Sequence, residues 1–226
     1  MTDLRTFAPR AVIFDLDGTL ADNMAWHARA FDEFVLRYGL PPVTMDQRRH
    51  MDGKRNSEIF PTLFGRTMTR EELDAFEEEK EGAYRELSRA AMKPIAGATE
   101  LLDRLAARGV LVAVATSAPQ PNVRHTLSEI GLADRFLVIV RSDEVPHGKP
   151  APDVYLRAAQ VLGVDPLECL AFEDAPVGVT AARHAGMACV AITSTFSREA
   201  FAAWNPPPSA TFRDFREYLD QAVWLA

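Results

Sequence analysis

At 226 residues the chain is long enough to bury a substantial core, and its formal net charge of −7 leaves no basic stripe of the kind a nucleic-acid or anionic-membrane surface demands. Hydrophobic residues at 47% and charged residues at 25% are ordinary for a soluble globular protein, and no run approaches the length of a transmembrane helix. These features point to work on small molecules, as a monomer without nucleic-acid or membrane partners; an anionic substrate would need a local positive site or a metal.

Residues 1–10 carry Asp3 and no apolar leader segment, so no signal peptide is expected. Cys169 and Cys189 each lie in or beside an apolar run and read as buried thiols rather than a disulfide framework. A reducing cytoplasm is the compartment expected.

The first element is a short apolar strand over 11–14, which ends in Asp15-Leu16-Asp17-Gly18-Thr19. Two acids at the mouth of a buried strand are costly unless a cation or donors satisfy them. The period then changes. Trp26, Ala30, Phe31, Phe34, Val35 and Tyr38 recur at three and four residues, predicting a helix over 22–38 that Gly39 stops. Further helices are expected over 45–51, 57–64 and 70–89. The last carries Glu71, Glu72, Glu77, Glu78, Glu79 and Glu81, which read as a solvated face. No strand signal appears between residues 19 and 94.

From residue 95 strands and helices alternate. Helices are expected over 97–108, 122–130, 151–162 and 176–185, with strands over 110–115, 136–140, 170–172 and 189–192. The tail reads as a helix over 198–204, a turn at Pro206-Pro207-Pro208 and a last helix over 212–224. Repeated units with wholly apolar strands mean an α/β fold, a Rossmann-like parallel sheet with helices on both faces. The helical stretch interrupts that series after the first strand. It is expected to be an inserted α-helical cap domain, residues 21–94, on a core of residues 1–20 and 95–226, with paired hinges near 18–23 and 93–97.

Ligands of open parallel sheets bind beyond the carboxyl ends of the strands. Those ends carry Asp15 and Asp17, then Thr116-Ser117, then Glu173-Asp174, with Lys149 between the last two. Carboxylates plus a backbone carbonyl make a hard oxygen site suited to Mg²⁺, and no His/Cys cluster competes. One carboxylate is left to attack, and phosphoryl transfer suits it best, because its transition state spreads negative charge that cations and donors must meet. Lys149, Thr116 and the main-chain N–H groups after Asp15 supply these, and Asp17 is placed to move the proton.

At these residues the sequence resembles the haloacid dehalogenase superfamily, and within it the phosphatase and β-phosphoglucomutase-like subfamily with a helical cap. The resemblance covers nearly the whole chain, through Asp15-Leu16-Asp17-Gly18-Thr19, Thr116, Lys149-Pro150, Glu173-Asp174 and the following 175–187 stretch. It implies that Asp15 is the nucleophile and Asp17 the general acid/base. Asp15, the carbonyl of Asp17, Asp174 and Glu173, directly or through water, would hold Mg²⁺, while Thr116 and Lys149 bind the phosphoryl group. The dehalogenating branch is disfavoured, since Asp17 and the metal-binding acids mark phosphoryl transfer. In the cap, His27, Arg55, Asn56 and Lys80 are the expected substrate-binding residues, with Ser117 from the core. Gly53-Lys54-Arg55-Asn56 resembles the substrate-specificity loop; β-phosphoglucomutases carry an arginine where Asn56 aligns, so this chain departs at the grip on a second phosphate. The expected activity is Mg²⁺-dependent hydrolysis of a small phosphorylated metabolite, a sugar phosphate, through an aspartyl-phosphate. The rivals are a β-phosphoglucomutase and a non-catalytic phosphometabolite sensor.

Overall fold

The computed structural model describes residues 7–225. Residues 1–6, part of the stretch read as lacking a leader, lie outside the described residues. Six parallel strands form one sheet: β1 (Ala11–Phe14), β2 (Leu111–Thr116), β3 (Val138–Arg141), β4 (Cys169–Glu173), β5 (Ala188–Ile192) and β6 (Ala210–Phe212), in the order β3-β2-β1-β4-β5-β6. The chain winds outward from β1 on one side and then returns to wind outward on the other. The switch falls between β1 and β4, where helices on opposite faces part and leave a crevice.

The strands are apolar throughout because both faces are covered, and the two faces differ in size. Val12, Phe14, Val114, Leu170, Phe172 and Val190 point to one side, with Phe14 stacked on its partner Phe172 at 5.3 Å between ring centroids. Three helices cover that side: α5 (Ala98–Ala107), α6 (Gln120–Glu129) and α10 (Phe215–Leu219). Ala11, Ala113, Ala115, Ala171 and Ala191 point to the other, so α7 (Asp153–Leu162) and α8 (Pro176–His184) lie against small side chains, joined by α9 (Arg198–Ala202). Cys169 and Cys189 are buried, free thiols on this face.

Between β1 and α5 stand four helices, α1 (Met24–Arg37), α2 (Met45–Met51), α3 (Asn56–Phe64) and α4 (Arg70–Ser88). They share a separate apolar cluster of Phe31, Phe34, Val35, Met51, Ile59 and Phe60. The chain enters and leaves this segment side by side. Asp22 N–H donates to Lys93 O at 2.9 Å, Ile95 N–H to Leu20 O at 2.9 Å, and Ala21 faces Pro94 as an antiparallel bridge.

Two expectations change. The helix read over 212–224 shrinks to α10 and a 3-10 turn over Val223–Leu225, because Ala210-Thr211-Phe212 adds a short sixth strand beside β5 and the chain turns before Phe215. Glu81 does not belong to a solvated face: it is 3% exposed, turned inward with Lys80 and Tyr84. Among the described residues no helix is long and apolar enough to cross a membrane.

Candidate active site

The carboxyl ends of β1, β2 and β4 open into a solvent-open cleft of about 680 Å³, roofed by α1, α3, α4 and the end of α2. Asp15, Asp17, Thr116, Ser117 and Asp174 reach it from the sheet, and His27, Asn56 and Lys80 from the helical segment. Lys149 and Glu173 sit just behind this lining. Arg55 does not face the cleft. Its guanidinium donates to the carbonyls of Val145 at 2.9 Å and Pro146 at 3.5 Å, on the loop leading to Lys149.

The centre is a buried knot of charge. Asp15 follows the last residue of β1, and its N–H donates to Phe172 O at 2.9 Å, which locks the turn to β4. Lys149, with no exposed surface, donates to Asp15 Oδ1 at 2.6 Å and Glu173 Oε1 at 2.7 Å. Burial raises the Asp15 carboxyl to about 7, with Lys149 opposing and Glu173 and Asp17 reinforcing the rise. Asp174 is pushed well above the carboxylate range by burial and by the charges of Asp15 and Glu173. For Lys149 burial works downward, but the same two carboxylates outweigh it and raise it.

Supporting contacts assign different orientations to these acids. Glu173 Oε1 also accepts from the buried Tyr155 hydroxyl, and Oε2 accepts from the Asp174 N–H at 3.3 Å. Asp174 accepts from Thr19 Oγ1 at 3.1 Å and from Thr195 Oγ1. Two close approaches make this geometry possible only with glycine. A Cβ on Gly178 would meet the Glu173 carboxyl at 2.1 Å, and one on Gly18, at φ +74°, would meet Asp174 Oδ2 at 2.0 Å.

Asp17 is held apart from this knot. Asn23 Nδ2 donates to its Oδ1 at 2.6 Å and to the Tyr84 hydroxyl at 2.7 Å, while Asn23 Oδ1 accepts the Gly18 N–H at 2.9 Å. His27 stacks on Tyr84 at 3.7 Å and brings Nε2 to 3.6 Å from Asp17 Oδ1. Its other nitrogen lies 3.3 Å from Lys80 Nζ. Lys80 is 3% exposed, bonded to Glu81 Oε1 at 2.8 Å and lying 4.3 Å over the Phe31 ring. Asn56 Nδ2 donates to the same Glu81 oxygen at 2.7 Å, and Asn122 of α6 to the other at 2.6 Å. Ser117 Oγ donates to Gly53 O at 2.6 Å, and Thr116 Oγ1 accepts from the Ala118 N–H at 3.0 Å.

The structure brings Asp15, Glu173 and Asp174 together, each offering a carboxylate oxygen within 4.8 Å of the others. An all-oxygen, all-anionic set in which burial and neighbouring carboxylates raise Asp15 and Asp174 suits a hard divalent cation, which would relieve that repulsion. The Asp17 carboxylate is not in this group. Asn23, Tyr155, Thr195, Asp52, Glu81 and Asn122 are contributors the sequence reading missed. Only Asn23 and Thr195 had a signal, Asn23 as a short polar residue immediately before α1 and Thr195 as one three residues past the end of β5.

Residues 12–192 match the family model described as haloacid dehalogenase-like hydrolase. The chain is 36% identical over 198 residues to Protein CbbY of Rhodobacter capsulatus, covering 84% of this chain and 87% of the relative. It is 34% identical over 181 residues to the phosphorylated carbohydrates phosphatase of Thermotoga maritima, covering 78% and 82%. The crystal structure of CbbY from Rhodobacter sphaeroides in complex with phosphate superposes with a TM-score of 0.80 at 25% identity, over 93% of this chain and 96% of that one.

Proposed function

This chain belongs to the haloacid dehalogenase-like hydrolases, and from that premise we propose that it is a Mg²⁺-dependent phosphatase of a small phosphorylated metabolite, a sugar phosphate in class. The observation that carries this is the division of labour between two acids. Asp15 is bonded to a buried lysine among other carboxylates, while Asp17, two residues on, is held by Asn23 beside His27. Sugar phosphates are the class named by the Thermotoga relative.

In this reading Asp15 attacks the phosphorus and forms an aspartyl-phosphate as the alcohol departs. Asp17 gives its proton to the leaving oxygen, then takes one from the water that attacks the intermediate. Asn23 fixes Asp17 Oδ1, leaving its other oxygen for that exchange. Lys149 keeps Asp15 oriented, and Thr116 offers its hydroxyl to the transferred group. A Mg²⁺ ion held by Asp15, Asp174 and the Asp17 carbonyl, with Glu173 behind them, would offset charge on the phosphoryl oxygens. Helices α1–α4 act as a cap that holds the substrate and shapes water access.

Phosphate release from a panel of phosphate esters tests this. Release that needs Mg²⁺, stops on chelation, returns on readdition and vanishes in Asp15→Asn is the expected result. A β-phosphoglucomutase would instead convert β-glucose 1-phosphate, primed with a bisphosphate, to glucose 6-phosphate without free phosphate. Silence of the wild type on every ester would favour a sensor.

A further inference from the structure

Tyr155 lies in the first turn of α7, in the apolar cluster where Ala113, Ala115 and Ala171 leave room for a large ring. A phenylalanine would fill that space equally well. A buried hydroxyl costs free energy unless it is bonded, and this one, on a side chain with no exposed surface, donates to Glu173 Oε1. The ring centre also stands 5.2 Å from Lys149 Nζ, so it flanks the lysine that donates to the same oxygen at 2.7 Å.

A carboxylate oxygen has about two lone-pair sites, and Lys149 and Tyr155 take both of those on Glu173 Oε1. Oε2 accepts only the long 3.3 Å bond from the Asp174 N–H. Helix α8 covers one face of the group: a Cβ on Gly178 would stand 2.1 Å from the carboxyl carbon and 2.1 and 2.2 Å from its oxygens, so there is little room to turn out of plane. Asp15 is also reduced, since its Oδ1 accepts from Lys149 at 2.6 Å and leaves Oδ2. The acids therefore offer single oxygens. Ca²⁺ gathers about six to eight oxygens and readily takes a carboxylate by both, whereas Mg²⁺ holds to an octahedron and keeps several waters.

We infer that Tyr155 is a positioning residue for cation choice: its hydroxyl, together with Lys149, closes Glu173 Oε1, confines Glu173 to one oxygen and so biases the acidic site toward Mg²⁺ over Ca²⁺. This rests on the Mg²⁺-dependent reading above and deepens it.

The test is calorimetric titration of the metal-free full chain with Mg²⁺ and with Ca²⁺, without substrate. The wild type should bind Mg²⁺ more tightly. Tyr155→Phe keeps the ring and removes the hydroxyl, and it should shift the ratio of the two dissociation constants toward Ca²⁺ by about threefold or more. In a Glu173→Gln background the same substitution should leave the ratio unmoved, because the effect runs through Glu173. A hydroxyl that only stabilised the core would lower the urea midpoint and weaken both cations alike. A ratio unchanged in Tyr155→Phe, a shift that persists without Glu173, or a wild type that prefers Ca²⁺ overturns the inference, while Mg²⁺-dependent phosphate release from p-nitrophenyl phosphate by the wild type would still uphold the phosphatase reading. A wild type that binds neither cation and releases no phosphate overturns both.

Discussion

Gly178 has no side chain, yet it decides how Glu173 stands. In a helix interior, glycine to alanine ordinarily stabilises by about 1 kcal/mol. Here the added Cβ would lie 2.1 Å from the Glu173 carboxyl, and overpacking of this kind costs about 1–3 kcal/mol. The clash wins, because Glu173 is pinned by Lys149 and Tyr155 and has nowhere to go. Gly178→Ala should lower the urea midpoint and reduce phosphate release together. Glu81 offers a pH test. Burial alone would raise its carboxyl, but Lys80, His27 and the bonds from Lys80 and Asn56 outweigh that and lower it from 4.5 to about 2. A depressed carboxyl stabilises fully above its unfolded value and loses that contribution as pH falls toward the folded one. Between pH 4.5 and about 2, unfolding free energy should therefore fall by about 3 kcal/mol from this group. Urea titrations across that range should show a flatter profile in Glu81→Gln.

Helix α4 delivers Lys80 and Glu81 to the cleft and Tyr84 to Asn23 and His27 behind it, and is started by a reciprocal cap. Thr69 Oγ1 accepts from the Glu72 N–H at 3.2 Å, and Glu72 accepts from the Thr69 N–H at 2.9 Å. Thr69→Ala should cost about 1 kcal/mol, read as a lower urea midpoint. The same helix marks where sequence reasoning ran out. The strand ends were legible because β1, β2 and β4 are continuous apolar runs, so the polar residues that follow them stand out. Along α4 the inward residues Lys80, Tyr84 and Ser88 do recur every four positions. They line a polar interior, however, so the usual contrast between apolar inside and charged outside is lost. Glu81 then looks like its solvated neighbours. Arg55 was misplaced for a different reason: a loop arginine can turn either way, and only the approach of the loop ending at Gly148 shows which carbonyls it meets. Strand β6 was missed because three residues are too few to display a period.

Across the whole molecule, Arg55 is a clasp between the helical segment and the loop that carries Lys149. Arg55→Ala should leave the apolar clusters intact but loosen closure over the substrate. The expected outcome is a severalfold higher KM with a smaller change in kcat, and faster amide hydrogen exchange around residues 52–56.

The side-by-side crossings at Ala21 and Pro94 carry a consequence for descent. Adjacent strands of an antiparallel pair stand only about 5 Å apart, so an insert whose two ends meet can be spliced at that seam without shifting the register of any core strand. Lineages sharing this sheet can exchange or redraw the material between the two crossings while every strand end keeps its place. Chemistry and taste are then passed on as separate words of one sentence.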